Sequence, residues 1–196
     1  MRTIAIDFET ANEQRGSPCS IGLAWIEDGS VVRVEERLIR PKDMRFSGFN
    51  IAIHGIRPED VEDAAEFPEV MEEFEDDLRD SLLIAHNASF DMSVIRATYD
   101  KYNASYPSLD YLCTLKMSQK VWSHLESHRL NHVSQHIGFS FEHHNAGEDA
   151  RACGEVALAV ARHVKVAAMR DVPIHLDMTL GRIHAGGYSP CSMRRV

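Results

Sequence analysis

The chain has 196 residues, of which 44% are hydrophobic and 26% are charged, a composition that is typical of one globular domain and excludes wholesale disorder. No apolar run reaches the ~20 residues of a membrane-spanning helix, and carboxylates interrupt the first ten residues, where a signal peptide would be apolar. The four cysteines form no Cys-x-x-Cys pair, which argues against a zinc cage or a disulfide scaffold and favours a reducing, cytoplasmic compartment.

The net charge of −9 is concentrated in one segment. Between Glu59 and Asp80 the sequence has 12 acidic residues and one basic residue, whereas the rest of the chain has 20 basic and 18 acidic residues. We interpret the acidic segment as the solvated face of a surface helix. Because the remainder is close to neutral, the overall charge does not exclude a polyanionic substrate.

The first part of the chain is rich in β-formers. Apolar residues alternate or cluster at residues 3–8, 20–26 and 31–39, and the last two runs are joined by the hairpin sequence Asp28-Gly29. An amphipathic helix is then predicted over residues 67–80. This part of the chain predicts three strands with hairpin character, followed by a helix.

Helices and strands alternate in the second part of the chain. The patterns predict a buried strand at residues 82–85, a helix at 90–102 and another strand at 111–115. Helices at residues 130–137 and 146–166 follow. The complete order predicts an α/β domain with a mixed five-stranded sheet flanked by helices.

Acidic residues occur where a buried position is expected. Asp7 and Glu9 lie two residues apart at the end of the first strand, so their side chains project from the same face. That strand is apolar enough to be central in the sheet, and an unpaired buried carboxylate is costly. A cation is therefore expected beside these two residues.

Two helices begin their core-facing stripe with an aspartate. Asp91 lies one turn before Ile95, and Asp149 lies one turn before Cys153. Each aspartate alone is explained equally well by a helix cap or a surface position. Together with the strand carboxylates, however, they predict a site of four acidic side chains.

An all-oxygen site of this kind suits Mg²⁺ or Mn²⁺ rather than zinc. Two such ions about 3.5–4 Å apart stabilise the attacking and leaving oxygens of a phosphoryl displacement. His144 precedes Asp149 by five residues, and a neutral imidazole there could accept a proton from the attacking water. The sequence thus predicts Asp7, Glu9, Asp91 and Asp149 as metal ligands and His144 as a catalytic base.

Three ordered motifs in this sequence resemble those of the DEDDh 3′–5′ exonucleases, the DnaQ-like family. The motifs are Asp7-Phe8-Glu9-Thr10, His86-Asn87-x-x-Phe90-Asp91 and His144-x-Ala146-x-x-Asp149-Ala150. The family includes the proofreading subunit of the bacterial replicative DNA polymerase and RNase T. The resemblance covers about residues 1–166 and implies a three-layer ribonuclease H-like fold for a domain of residues 1–168.

The resemblance also implies residue roles. Asp7, Glu9 and Asp149 would hold one metal ion, Asp7 and Asp91 would steady a second, and His144 would be the general base. The remaining implied residues contact the substrate. The main chain around Thr10, together with Glu9, would contact the terminal 3′ hydroxyl. Asn87 and Phe90 would help to place the end of the strand, and Ile53 and His54 would line the pocket of the terminal nucleotide. Ile53 and Phe90 are explained equally well by core packing.

The sequence departs from the family pattern in two places. Cys113 precedes Thr114 where many relatives have aspartate, a change that leaves the catalytic set intact. Residues 169–196 form a C-terminal extension of unknown role that could pack as an extra element, pair with another subunit or be partly ordered.

The resulting hypothesis is a two-metal 3′–5′ exonuclease that releases nucleoside 5′-monophosphates from the 3′ ends of DNA. One alternative is an exoribonuclease similar to RNase T, since nothing in the sequence decides whether a 2′ hydroxyl is accepted. Others are a non-catalytic polymerase or repair subunit and a metal phosphoesterase for small molecules. A polymerase or repair partner is compatible with activity, and no membrane association is expected.

Overall fold

The structure is a computed structural model that describes residues 2–193 of the chain. Its strands are β1 (Thr3–Thr10), β2 (Pro18–Glu27), β3 (Ser30–Leu38), β4 (Leu82–Ala85), β5 (Leu109–Cys113), β6 (Met178–Thr179), β7 (Gly181–His184), β8 (Gly187–Ser189) and β9 (Ser192–Met193). Its α-helices are α1 (Gly48–His54), α2 (Pro58–Val61), α3 (Phe67–Glu73), α4 (Glu75–Leu78), α5 (Ser89–Lys101), α6 (Thr114–Val121), α7 (Leu130–His136), α8 (Ala146–Val164) and α9 (Val172–His175). A 3₁₀-helix covers Met169–Asp171.

The main sheet is mixed, with the strand order β3-β2-β1-β4-β5-β7-β8. The first three strands are antiparallel neighbours, β1, β4 and β5 run parallel, and β7 and β8 are antiparallel additions beyond β5. The prediction of an α/β domain with a mixed sheet is confirmed. The predicted count of five strands is wrong, because the C-terminal extension adds two more.

Strand β1 lies in the interior of the sheet, between β2 and β4. Ile6 and Phe8 are buried on one face and Ala5 on the other, as expected for a strand with a layer of helices on each side. Since β1 and β4 run parallel, their carboxyl ends meet at the same edge of the sheet. The side chains that follow the two strands therefore come together there.

Helices cover the sheet in two layers. On one face α8 contacts β1, β2 and β3 and is joined by α6 and α7. On the other face the ring of Phe8 lies 6.3 Å from that of Phe67 in α3, which in turn lies 5.5 Å from that of Tyr99 in α5. No helix of residues 2–193 combines the length and the hydropathy needed to cross a lipid bilayer.

The single helix predicted over residues 67–80 is divided into two short helices, α3 and α4. The break between α3 and α4 falls at Phe74, whose ring is buried and packs 6.0 Å from that of Trp25. Arg37 of the edge strand β3 binds Glu73 at 2.6 Å, and Arg33 binds Asp77 at 3.3 Å. The acidic segment is thus partly neutralised by arginines of β3 instead of being only solvated.

The described part of the C-terminal extension packs on the chain's own sheet. Gly181 pairs with Tyr111 across β7 and β5, and a Cβ at Gly181 would lie 2.1 Å from the Tyr111 ring. Asp110 binds Arg182 at 2.6 Å and Arg170 at 3.1 Å. The described part of this segment therefore packs as an extra element, which is the first of the three possibilities given by the sequence. Residue 1 and residues 194–196 lie outside the described range.

Candidate active site

Strand β1 carries the first two acids of the site. Asp7 and Glu9 alternate with the buried Ile6 and Phe8, so both carboxylates project from the face opposite to these apolar side chains. The register with β2 shifts between Glu9 and Thr10. The two acids thus lie at the end of a central strand, just before its regular pairing is interrupted.

Helix α8 brings Asp149 to the same place. Asn145 caps this helix by accepting a hydrogen bond from the Glu148 N–H at 2.9 Å. Asp149 follows in the first turn and is only 3% exposed. Carboxylate oxygens of Asp7, Glu9 and Asp149 lie within 4.8 Å of one another, a grouping that could hold a metal ion.

Asp91, in the first turn of α5, is the fourth acid and is 1% exposed. Its Oδ1 accepts a hydrogen bond from the Phe8 N–H at 3.3 Å. Its Oδ2 is buried and has no hydrogen-bond partner among the described residues. A buried carboxylate oxygen without a partner is costly and is readily explained by a cation that binds there.

The electrostatics of the four acids also fit a cation site. Burial, and then the neighbouring carboxylates, raise the pKa of Asp7 well above its usual range and that of Glu9 to about 8. Burial raises the pKa of Asp91 to about 7 and also raises that of Asp149. Gathering these charges therefore costs free energy, which divalent cations would offset. The donors are all oxygens, as Mg²⁺ and Mn²⁺ prefer.

Two adjacent histidines contact Asp149. The main-chain N–H of His144 donates to Asp149 Oδ2 at 2.7 Å, and Nδ1 of His143 donates to Oδ1 at 2.7 Å. The two imidazole rings stack with their centres 4.0 Å apart. Burial, followed by the neighbouring His143, lowers the pKa of His144. Only His144 of this pair was predicted as a site residue, although the two histidines are adjacent in the sequence.

Helix α1 borders the site through the main chain of Thr10. The Thr10 carbonyl accepts hydrogen bonds from Asn50 Nδ2 at 2.8 Å and from His54 Nε2 at 3.1 Å. Because the Ile56 N–H donates to His54 Nδ1 at 3.0 Å, this imidazole is neutral with its proton on Nε2. The predicted residues Thr10 and His54 are thus directly joined.

An open groove of about 400 Å³ connects α1 with the histidine loop. Ile53 and His54 line it from one side, and His143 and His144 line it from the other. Ile53 is 38% exposed. The structure therefore brings Ile53 to the rim of the groove that also contains His144, rather than into the core.

Asn87 and Phe90 lie just before Asp91, where helix α5 begins. Asn87 is exposed, has a left-handed φ of 61°, and its carbonyl accepts a hydrogen bond from the Phe90 N–H at 2.8 Å. The ring of Phe90 is partly buried and has the guanidinium carbon of Arg15 4.1 Å from its centre. These two predicted residues thus border the site on its α5 side.

Cys113, which stands where many relatives have aspartate, is not one of the four acids of the site. Cys113 is buried at the end of β5, and Thr114 Oγ1 lies 2.9 Å from His86 Nδ1. His86 Nε2 donates to the His128 carbonyl at 2.9 Å. Thr114 and His86 thus connect the ends of β5 and β4 behind the site.

Glu36 and Asn50 are two site residues that the sequence analysis missed. Glu36 accepts hydrogen bonds from Ser20 Oγ and from Asn145 Nδ2, both at 2.8 Å, and its charge contributes to the raised pKa of Glu9. No sequence pattern distinguishes Glu36 from the other charged residues of β3. Its role follows only from the tertiary contact between β3 and the start of α8.

Comparisons with known proteins agree with this geometry. A family model described as exonuclease matches residues 4–157. The PolC-type DNA polymerase III of Thermotoga maritima is 32% identical over 165 residues, which are 83% of this chain and 12% of that protein. The PolC-type enzyme of Streptococcus pneumoniae strain R6 is 28% identical over 137 residues, or 69% of this chain and 9% of that protein. The chain thus spans about a tenth of the length of these curated relatives.

Solved exonuclease structures share the fold. Exonuclease X in complex with 5′ overhanging duplex DNA has a TM-score of 0.72 at 22% identity, covering 87% of this chain and 98% of that one. A full-length 3′-exonuclease has a TM-score of 0.74 at 18% identity, covering 97% and 90%. The nuclease domain of 3′hExo, a DEDDh family member bound to rAMP, has a TM-score of 0.67 at 14% identity, covering 91% and 95%. These likenesses confirm the ribonuclease H-like fold.

Proposed function

Since the chain belongs to the DnaQ-like family of 3′–5′ exonucleases, we propose that it removes nucleoside 5′-monophosphates from the 3′ ends of DNA by metal-dependent hydrolysis. The observation that carries this proposal is the convergence of Asp7, Glu9 and Asp149, with carboxylate oxygens within 4.8 Å of one another. The buried, unpartnered Oδ2 of Asp91 supports it from the helix on the other side.

The acids have metal-binding roles in this proposal. Asp7, Glu9 and Asp149 would hold one Mg²⁺ or Mn²⁺ ion, and Asp7 and Asp91 would hold a second. Bound divalent cations supply Lewis acidity and neutralise charge on the scissile phosphodiester. The chain's own contribution is to fix the carboxylates before substrate arrives, through the Phe8 N–H on Asp91 and the His144 N–H on Asp149.

His144 is the general base of the proposed reaction. Its lowered pKa keeps the imidazole neutral near pH 7, so it can accept the proton that the attacking water loses. The hydrogen bonds that surround Thr10 support a second role, since Asn50 and His54 hold its main chain beside Glu9. We assign Thr10, Ile53 and His54 to the terminal nucleotide, and Asn87 and Phe90 to the strand end.

DNA is the favoured polymer, and a polymerase or repair protein is the favoured partner. The curated relatives reported above are named as DNA polymerases, and Exonuclease X was solved with duplex DNA. However, a 3′-exonuclease with a TM-score of 0.74 is described as recognising a histone mRNA stem-loop. RNA is therefore the competing substrate in the test below.

A gel assay tests the proposal. Single-stranded DNA and RNA of one sequence, labelled at the 5′ end, are incubated with Mg²⁺, with Mn²⁺ or with EDTA. A ladder that shortens from the 3′ end and requires the metal is expected, with DNA degraded faster than RNA. Asp7→Asn is the matched control, since it keeps the shape of the side chain and removes its charge.

The other outcomes identify the competing functions. Faster cleavage of RNA would assign an exoribonuclease. Turnover of a nucleotide monoester without cleavage of either polymer would indicate a small-molecule phosphoesterase. No turnover of any substrate by folded protein, as judged by circular dichroism, would leave the non-catalytic subunit, which a pull-down with polymerase and repair proteins would examine.

A further inference from the structure

The loop between β1 and β2 has a fixed shape. The Ala11 N–H donates to the Ser17 carbonyl at 2.8 Å, and the Gln14 N–H donates to Asn12 Oδ1 at 2.9 Å. Ser17 Oγ donates to the Gln14 carbonyl at 2.6 Å. These hydrogen bonds within the loop, which carries Arg15, limit its freedom before any ligand binds.

The same loop is braced against helix α5. Lys101 Nζ donates to the Gly16 carbonyl at 3.0 Å, and a Cβ at Gly16 would lie 3.0 Å from the Ala97 carbonyl oxygen. There is therefore little room between loop and helix. The backbone on the C-terminal side of Arg15 is held against α5, the helix that begins with Phe90 and Asp91.

Arg15 itself is exposed and stacks on Phe90. Its guanidinium carbon lies 4.1 Å from the centre of the Phe90 ring, within the range of a cation–π contact. A guanidinium stacked by one face keeps its edge free to donate hydrogen bonds. The contact thus orients a long side chain that would otherwise be mobile.

The cation lies next to the acidic site. Phe90 directly precedes Asp91 in the first turn of α5, so the guanidinium that stacks on the Phe90 ring lies at the end of the helix that carries this acid. Arg15 forms no ion pair with a carboxylate of residues 2–193, whereas Arg37, Arg40 and Arg45 each do. An oriented guanidinium without a carboxylate partner is thus available beside the four acids.

We propose that Arg15 binds a phosphate of the substrate strand on the 5′ side of the scissile phosphodiester. The inference rests on the proposed function and adds to it a residue that holds the strand rather than the reacting group. In the proposed function, divalent cations in the acidic site would neutralise the scissile phosphate. The neighbouring phosphate would still be repelled by the carboxylates, and a separate positive charge would offset that repulsion. A planar guanidinium suits a phosphodiester because it can donate two parallel hydrogen bonds.

Two substrates separate this role from a structural one. Single-stranded DNA has phosphates on the 5′ side of the scissile bond, whereas the p-nitrophenyl ester of thymidine 5′-monophosphate has only the bond that is cleaved. Arg15→Gln is expected to raise KM for the DNA about tenfold, as for a lost hydrogen bond to a charged group, with kcat nearly unchanged. Its kcat/KM for the ester should equal that of the unmodified protein.

Salt dependence and a matched variant complete the test. Losing one phosphate contact should reduce the slope of log Kd against log salt for single-stranded DNA by about 0.7, measured by fluorescence anisotropy. Arg96→Gln is the control, since Arg96 also stacks on an aromatic ring, that of Tyr188 at 3.6 Å, but belongs to the middle of α5. Arg15→Lys should recover part of the lost affinity, because it restores charge but not the planar pair of donors.

The proposal would be overturned if Arg15→Gln lost kcat/KM equally on DNA and on the ester. It would also be overturned if the variant kept the KM and the salt slope of the unmodified protein for DNA. The anisotropy measurement tests the role of Arg15 in binding independently of the proposed exonuclease activity. If the unmodified protein binds DNA but cleaves neither substrate, the exonuclease assignment fails while Arg15 is still tested by binding. If the unmodified protein does not bind DNA, both proposals fail.

Discussion

Gly22 and Ala146 are in contact across the interface between strand β2 and the start of helix α8. A Cβ built on Gly22 would lie 1.8 Å from the Ala146 carbonyl oxygen. Gly22 is also the cross-strand partner of Asp7. The missing side chain at Gly22 thus lets the first turn of α8, with Asp149, approach the sheet beside Asp7.

Gly22→Ala is therefore expected to impair both stability and activity. The clash is with main-chain atoms, which cannot rotate away, so the helix start has to move. We expect the free energy of unfolding to fall by about 1–3 kcal/mol. Exonuclease activity should fall with it, because Asp149 moves away from Asp7 and Glu9. Urea denaturation and the gel assay at a temperature where the variant remains folded measure the two effects.

Gly48→Ala is the matched control for Gly22→Ala. A Cβ at Gly48 has no heavy atom within 4 Å, and its φ is not in the left-handed region. Its stability should stay within about 0.5 kcal/mol of that of the unmodified protein. A Gly22→Ala variant that behaves like Gly48→Ala would contradict the close approach between β2 and α8.

The neighbouring histidines are expected to differ in their effects on the reaction. His143 uses Nδ1 on Asp149, whereas the His144 side chain is held mainly by stacking on that ring. If His144 is the general base as proposed, the replacement His144→Asn should lower kcat by about 10²–10⁴-fold, since that is the usual contribution of a positioned base. DNA binding should change little. Steady-state kinetics and anisotropy on the same oligonucleotide measure both quantities.

His143→Asn serves as the comparison for His144→Asn. The shorter amide removes the imidazole from Asp149 while leaving the proposed base in place, so kcat should fall by less than about tenfold. If His143→Asn instead abolished turnover and His144→Asn did not, the base would have to be His143.

The strands around the site were predictable because their sequence patterns are strong. Strand β1 alternates around Asp7 and Glu9, and the stripes of α5 and α8 point Asp91 and Asp149 inward. Strands β7 and β8 were missed because these short segments lack the continuous apolar run that marks the equally short strand β4. Helix α3 was predicted too long, since nothing local distinguishes Phe74 as the residue that packs on Trp25.

Contacts between distant segments account for the missed site residues. Glu36 meets Asn145, which is 109 positions away in the chain, because β3 packs against the start of α8. Arg15 and Phe90 are 75 positions apart in the chain, and only the packing of the β1–β2 loop on α5 brings them together. Sequence patterns report which face a side chain takes, but not which distant side chain it meets.

The raised pKa values of the acids predict how stability depends on pH and metal. Without metal, the pKa of Glu9 rises from 4.5 to about 8 and that of Asp91 from 3.8 to about 7. Below about pH 3 both the folded and the unfolded state hold these protons, because the ordinary pKa values are 4.5 and 3.8. As the pH rises through this window, the unfolded state releases its protons first, so the free energy of unfolding falls until about pH 8. The melting temperature in EDTA should therefore be lower at pH 8 than at pH 5.

Bound metal should reverse this loss of stability, and so should a variant that removes a carboxylate charge. Mg²⁺ or Mn²⁺ should raise the melting temperature more at pH 8 than at pH 5, because only the ionised carboxylates bind it. Glu9→Gln should be more stable than the unmodified protein at pH 8 in EDTA and equal to it at pH 3. Identical melting curves for the two proteins at pH 8 would be inconsistent with a strained carboxylate at Glu9.

In the C-terminal extension, removal of a carboxylate charge is expected to lower stability, whereas in the acidic site it is expected to raise it. We propose that residues 169–196 stabilise the catalytic domain of residues 1–168 without entering its reaction. Hydrogen bonds from Arg182, and then from Arg170, lower the pKa of Asp110 against the effect of burial. Asp110 lies toward the start of β5, away from the sheet edge where the acids meet. Asp110→Asn should thus reduce stability but leave kcat unchanged.

The pH dependence of this effect distinguishes an ion pair from simple packing. A lowered pKa contributes stability that is present above the unfolded value of 3.8 and is lost as the pH falls below it. Asp110→Asn should therefore be less stable than the unmodified protein at pH 7, by about 1 kcal/mol, and should approach it near pH 3. Urea denaturation at the two pH values measures the difference, and hydrogen exchange of residues 181–189 should locate it in β7 and β8. A loss of equal size at both pH values would assign the stabilisation to packing of the hairpin on Tyr111 instead of to the carboxylate.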